Sequence, residues 1–431
     1  MVTASVYCGA KKFIKQLIFQ AMYILKTPKG LLSVLLAFLF SIFESYADPK
    51  PGDVFREYSY NENINFMIER GIYKDSVQIE IFVDDTEDAI KFEFGASYWG
   101  GHIGTSNQRF RVNNSPKYDL PHPETPGSHY CYPRNVMGRN AVELALEHLR
   151  QGRNIITIYC GPQICYSFNW PHYIVYSAFL RVYFQPDRMK RKPVLELAED
   201  SDKLKYNPVF RVRSKAKDDI ASVDFIGKYL DYDRSGDGRF YKWHYQILNG
   251  EWLNTQNHPP FHYTKFECQW NNNWIPLEEK PVEFAAVISY NDGLKYMTES
   301  LRTLKFKLSY KVKMYISDDI PEAFDVRDGQ KEECTIDIPD LNDAESAMLN
   351  IASWSGATST GVVHEVSING VQLADNFGVF HDFSYDMLPV PISLLREGNN
   401  IISFYSEYEG HALEVLWPGP ALMVKYRTDE H

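Results

Sequence analysis

Apolar and polar residues alternate with a period of two along many short stretches of this 431-residue chain. Phe179-Leu-Arg-Val-Tyr-Phe184, Ala421-Leu-Met-Val-Lys-Tyr426 and Pro208-Val-Phe-Arg-Val-Arg213 are examples. Successive side chains of a strand point to opposite faces, so this alternation predicts strands with one face in a core. Gly, Asn, Asp and Pro interrupt the pattern about every 8–12 positions, the spacing of a β-sandwich. An all-β chain is therefore expected.

One stretch breaks the alternation. Leu31 to Phe43 is a continuous apolar run, preceded by Lys26 and Lys29 and followed by Ser45 and Ala47. It is shorter than the roughly 20 residues of a membrane-spanning helix. A basic flank, an apolar run and small residues at a cleavage point make a secretory signal peptide over 1–47. Its leader has ordinary length if translation starts at Met22. A retained anchor is the competing reading.

The pattern also repeats. Leu146-Glu-His-Leu-Arg-Gln-Gly-Arg-Asn-Ile-Ile-Thr-Ile-Tyr159 corresponds to Ile392-Ser-Leu-Leu-Arg-Glu-Gly-Asn-Asn-Ile-Ile-Ser-Phe-Tyr405. Upstream of each lies an acidic turn, an alternating strand and a Ser/Trp/Gly-rich loop, at 83–114 and 339–370. Downstream of each lies Trp-Pro, at Trp170 and Trp417, then a closing alternating strand. In the shared corner, Gly152 or Gly398 supplies permissive dihedrals. Asn154 or Asn400 is expected to bond the turn backbone. The same blocks in the same order predict two copies of one sandwich.

At these residues the chain resembles the galactose-binding-like jelly rolls of secreted glycosidases and carbohydrate-binding modules, in which a Leu-x-x-Gly-x-Asn-x-Ile corner precedes a late strand. The resemblance implies a jelly-roll-like sandwich over 48–187 and another over 310–431. Residues 188–204 are charged and Pro-interrupted and read as a linker. Residues 205–309 carry their own strands and suit an Ig- or fibronectin-like sandwich, although no Cys…Trp…Cys spacing is present.

In that middle region Asp231, Asp233, Ser235 and Asp237 alternate, with Gly236 sixth, like the first half of an EF-hand loop. The twelfth position is Lys242 rather than Glu. Calcium is the one cofactor these oxygen ligands suggest, set against a metal-free polar turn.

The net charge of −11 argues against a nucleic-acid partner. The one dense basic run, Arg188 to Lys192, reads as solvated linker. After signal cleavage Cys131, Cys160, Cys165, Cys268 and Cys334 remain, and a bridge among the first three is expected. Asn113-Asn114-Ser115 is a glycosylation sequon in a turn. No nucleophile elbow, zinc-helix, phosphate-loop or dinucleotide motif is present. His258 and His262 bracket Pro259-Pro260, so they cannot share a helical metal face.

Aromatic residues make up 15% of the chain. Rings stack on the apolar faces of sugars, and planar polar groups bond hydroxyls. Two segments of the first copy supply both: Trp99 with His102, and Asn169, Trp170 and His172. Since Trp354 and Trp417 recur in the second copy, core packing competes for the tryptophans, and His102, Asn169 and His172 are the more discriminating candidates. The function expected is a secreted or cell-surface, non-catalytic carbohydrate-binding or adhesion protein with glycan partners. A self-associating structural protein of an extracellular layer or filament is the alternative, followed by a polysaccharide hydrolase or lyase. Two carboxylates would be needed for the hydrolase, and nothing in the sequence singles out a pair.

Overall fold

A computed structural model describes residues 49–62, 64–65, 75–99, 106–120, 140–161, 174–198, 203–204, 207–228, 262–270, 273–274, 282–306, 309–320, 324–355, 364–379, 382–407, 413–415 and 419–428. These residues form strands, joined by turns and single-turn 3₁₀ segments, so the chain is all-β. Among them no helix is long and apolar enough to cross a membrane.

The first region contributes β1 (Val54–Tyr60), β2 (Ile64–Asn65), β3 (Ser76–Val83), β4 (Ala89–Trp99), β5 (Arg109–Val112), β6 (Tyr118–Asp119), β7 (Asn140–Leu144), β8 (Gly152–Tyr159) and β9 (Ile174–Phe184). The middle contributes β10 (Val194–Leu197), β11 (Lys203–Leu204), β12 (Val209–Arg213), β13 (Ile220–Lys228), β14 (His262–Thr264), β15 (Glu267–Gln269), β16 (Val282–Tyr290), β17 (Leu294–Met297) and β18 (Leu301–Phe306). The last region contributes β19 (Tyr310–Ile316), β20 (Asp325–Val326), β21 (Gln330–Ile338), β22 (Ala344–Ser355), β23 (His364–Ile368), β24 (Val371–Ala374), β25 (Asp382–Val390), β26 (Gly398–Ser406), β27 (Leu413–Val415) and β28 (Ala421–Arg427).

In the first region a sheet β3-β8-β5-β6 faces the β1-β9-β4-β7 strands. Period two does the sorting. Ile79, Ile81, Phe110, Val112, Ile156 and Ile158 point inward from one sheet, and Phe92, Phe94, Leu180, Val182 and Phe184 meet them from the other. The last region repeats this order of pairing in β21-β26-β23-β24, against β19-β28-β22-β27-β20 with β25 beside β22. Its own core holds Ile336, Ile338, Leu349, Ile351, Val366, Ile368, Ile402, Phe404, Leu422 and Val424.

The two repeated corners agree atom for atom. Asn113 Nδ2 donates to Asn154 Oδ1 at 2.9 Å and to the His148 carbonyl at 2.8 Å. Asn369 Nδ2 donates to Asn400 Oδ1 at 2.9 Å and to the Leu394 carbonyl at 2.8 Å. Asn154 and Asn400 each also accept from the backbone N–H four residues back and donate to the carbonyl there. Gly152 and Gly398 stand at φ +92° and +82°, in the left-handed region that favours glycine. Asn113 is therefore spent inside the fold. It is 8% exposed, so the sequon is closed in the folded chain.

The middle strands are not insulated from the first region. β1 pairs with β9 on one side and with β17 on the other, Val54 opposite Tyr296. A ten-stranded sheet therefore runs through both. One hydrophobic cluster follows it, from Val54 to Tyr296, and also takes in Phe210, Trp270, Phe284, Tyr310, Val312 and Met423. Residues 188–197 join this body as well. Met189 and Leu195 are buried, and Arg188 bonds the Glu87 carbonyl at 2.8 Å and stacks 4.0 Å above Phe184. Lys190, Arg191 and Lys192 are exposed.

Candidate functional site

Trp99 is the last residue of β4 and lies directly opposite Ile174, the first residue of β9. The segments carrying His102 on one side, and Asn169, Trp170 and His172 on the other, therefore leave and enter the sandwich at the same end of the same two strands. His102, Asn169, Trp170 and His172 lie outside the described residues, as do Asp231, Asp233, Ser235 and Asp237, Cys131 and Cys165, and the 1–47 segment. Among the described residues no group of His, Cys, Asp or Glu could hold a metal ion. Cys268 is a free, buried thiol pushed up to about 12 by burial.

Two buried polar constellations are visible that the sequence did not single out. The first occupies the face of β1, β9 and β4 that points away from the sandwich core. In register across the strands run Glu143, Glu93, Arg181 and Glu57. Glu93 is fully buried. Its Oε2 accepts from Arg181 Nη1 at 3.0 Å and from the Tyr183 hydroxyl at 2.8 Å, and its Oε1 from Lys91 Nζ at 3.1 Å. Arg181 Nη2 reaches Glu57 Oε2 at 3.2 Å. Burial raises the Glu93 carboxyl more than Arg181, Lys91 and Tyr183 lower it. A carboxylate pair of this kind invites a hydrolase reading. Yet one guanidinium spans both groups, both Glu93 oxygens are engaged, and neither carboxylate faces solvent, so the arrangement is that of a buried ion-pair network.

The second constellation closes one end of the last sandwich. Following the inward parity of each strand past its hydrophobic run gives Ser353 and Ser355 on β22, His364 on β23, Ser384 and Asp386 on β25, and Ser406 on β26. His364 Nε2 lies 2.8 Å from Ser355 Oγ and its Nδ1 3.1 Å from Ser406 Oγ. Ser353 and Ser384 share a hydrogen bond of 3.0 Å, and Ser384 donates to Asp386 Oδ2 at 2.8 Å. The Gly378 N–H donates to the same oxygen at 3.1 Å. Burial holds the His364 imidazole below its ordinary value and raises Asp386.

A serine beside a histidine is the geometry of an activated nucleophile, but such a base is normally oriented by a carboxylate. Here Ser406 orients His364, and Asp386 serves Ser384 instead. All four serines and His364 are buried, leaving no room for a reacting carbonyl among the described residues. The cluster is a hydrogen-bonded plug. By the strand register the first sandwich has Tyr98, Gln108 and Cys160 where the last has Ser353, His364 and Ser406. The signal that would have revealed it is a polar residue at an inward position, as in His364-x-Val366-x-Ile368.

On the outer face of the same sandwich Glu414 lies opposite Asp325. Its Oε2 is buried without a hydrogen-bond partner. Burial, then the Asp325 charge, push its carboxyl well above the usual range, against the pull of Arg327.

Comparison with known proteins shows similarity of the coarsest kind. No family model matches the chain, and no curated protein matches it. Among solved structures it is similar to a β-porphyranase of glycoside hydrolase family 86 from the gut bacterium Bacteroides plebeius, at 12% identity and a TM-score of 0.24. That match covers 52% of this chain and 35% of the other, so the chain spans about a third of the enzyme. A peptide-N-glycan asparagine amidase is similar over 88% of this chain and 97% of its own, at 9% identity and a TM-score of 0.22. A Bacteroides ovatus mixed-linkage glucan surface protein, solved with a heptasaccharide, is similar over 80% and 72%, at 10% identity and a TM-score of 0.16. These neighbours act on or bind carbohydrates. TM-scores this low carry no functional argument for this chain.

Proposed function

We propose that this chain is a secreted, non-catalytic carbohydrate-binding protein, with two related jelly-roll-like sandwiches flanking an Ig-like middle. The matched corners at Asn113/Asn154 and Asn369/Asn400, and the repeated order of strand pairing, support a duplication. The observation that carries the binding reading is the register of Trp99 opposite Ile174. On this reading Trp99, His102, Asn169, Trp170 and His172 form one binding surface beside that strand pair. In this proposal rings stack on sugar faces, and amide and imidazole groups bond sugar hydroxyls. Among the described residues, the buried Glu93 carboxylate and the Ser355–His364 pair are engaged by their own neighbours.

The test is a glycan array with the full mature chain, followed by titration of any glycan retained. Trp99→Ala, Trp170→Ala and His172→Ala are expected to weaken binding about tenfold or more, the loss of one stacked ring or charged-quality hydrogen bond. Their melting transitions should stay cooperative. An array without a hit, or folded variants that bind like the parent, would overturn the proposal.

A further inference from the structure

The outward face of the β3-β8-β5-β6 sheet carries two cations that no described carboxylate neutralises. Alternation places Arg109 and Arg111 outward from β5, alternating with the buried Phe110 and Val112. Across the sheet Arg111 is opposite Thr157, and Thr157 is opposite Gln78. Arg109 is opposite Tyr159 on one side and Asp119 on the other.

The charges on this face are unequal in their partners. Arg109 Nε pairs with Asp119 Oδ1 at 2.6 Å, and Arg153 pairs with Glu80. Among the described residues Arg111 and Lys117 form no ion pair. The Nε–H of Arg111 is buried and finds no acceptor. Lys117 Nζ is held 3.9 Å above the Tyr159 ring by a cation–π contact. A buried donor without an acceptor costs free energy, and the Lys117 ammonium over Tyr159 has no carboxylate partner among the described residues.

The equivalent face of the last sandwich is an internal contrast. There the register places Tyr405 where the first has Tyr159, but Glu365 and Ser367 stand in place of Arg109 and Arg111, and Glu333 in place of Gln78. The tyrosine position is shared and the charge is reversed.

We infer that this face of the first sandwich binds an anionic polysaccharide segment, one bearing carboxylate or sulfate groups. Arg111 takes the anion through its planar fork, which suits both groups. Lys117, steadied by Tyr159, supplies the second charge. Gln78, in line with Arg111 across two strand spacings of about 4.8 Å each, reaches sugar hydroxyls along the chain. A chain with net charge −11 repels a long polyanion overall, so the attraction depends on this patch and on short range. The site shares no residue with the Trp99 end of the sandwich, and each stands or falls by its own variants.

The experiment is affinity electrophoresis of the full chain in gels containing polygalacturonate, a sulfated galactan or a neutral galactan. Retardation by either anionic polymer and not by the neutral one is expected, and which of the two acts more strongly identifies the group. Arg111→Gln and Lys117→Gln should each weaken it about tenfold, the worth of one hydrogen bond to a charged group. Lys331→Gln on the other face should leave it unchanged, as should Trp99→Ala. Added salt should weaken it, because exposed charges are screened. If Arg111→Gln melts early, Lys117→Gln and the salt response carry the test. Equal mobility in all gels, variants that bind like the parent, or equal retardation by duplex DNA would overturn the inference.

Discussion

Asn113 and Asn154 share a 2.9 Å side-chain hydrogen bond inside the first sandwich, and Asn369 and Asn400 share one of the same length in the last. Each pair stitches the end of one strand to the turn that starts another. Asn154 and Asn400 are fully buried. Replacing either by Ala takes the side-chain partner from the Arg150 or Arg396 N–H and carbonyl, both in part-buried bonds, and from the Asn113 or Asn369 amide. Such groups cost about 1–3 kcal/mol each. Asn154→Ala and Asn400→Ala are expected to lower unfolding free energy by roughly 2–4 kcal/mol, read by urea denaturation. A loss below about 0.5 kcal/mol would show that the corners are ornamental.

Gly95 makes room for Phe179. A Cβ at Gly95 would sit 2.1 Å from Phe179 Cζ, with two further ring atoms within 2.8 Å. Gly95→Ala should therefore destabilise by about 1–3 kcal/mol through overpacking. Pairing it with Phe179→Leu should recover part of that loss, giving a non-additive double-mutant cycle. Strict additivity would mean the ring moves aside freely.

Arg181 is the keystone of the Glu57–Glu93 network. Removing it alone takes the shared counter-charge from two buried carboxylates, leaving Glu93 with Lys91 and Tyr183, and Arg181→Met should cost about 3–5 kcal/mol. Arg181→Met combined with Glu93→Gln should be less harmful than the sum of the two. The comparison is again made by denaturation at neutral pH.

His364 and Glu414 give opposite pH dependences. The folded chain holds His364 below its ordinary value, so below about pH 6.5 the unfolded chain takes up a proton that the native one resists. Stability then falls as pH drops through that window, and His364→Gln should flatten the slope. Glu414 is held well above its ordinary value, so the native chain keeps a proton that the unfolded one releases. Stability falls as pH rises above the usual glutamate range. Glu414→Gln should remove that slope and stabilise the chain at neutral pH. Melting temperatures at several pH values separate the two.

Much of this architecture could be read along the chain, and the reasons for what could not are physical. The closing strands Phe179–Phe184 and Ala421–Tyr426 appear where period two predicts them, and the Gly-x-Asn corners do what their residues suggested. The pairing of Val54 with Tyr296 has no local signature, because nothing near either residue encodes a partner some 240 positions away. Arg181 and Tyr183 read as outward-facing residues of an alternating strand. Parity says which face a side chain takes, not whether that face is covered, and here it is. His364 and Ser406 are legible in principle, as polar residues at inward positions of their strands. The loop residues His102, Asn169, Trp170 and His172, and the Asp231–Asp237 run, lie outside the described residues.

The most direct test of the account incubates the full chain with a panel of polysaccharides. It measures in the same samples both retention of the protein and release of new reducing ends. The account predicts retention on at least one polysaccharide with no new reducing ends. New reducing ends, or no retention on any polymer, would contradict it.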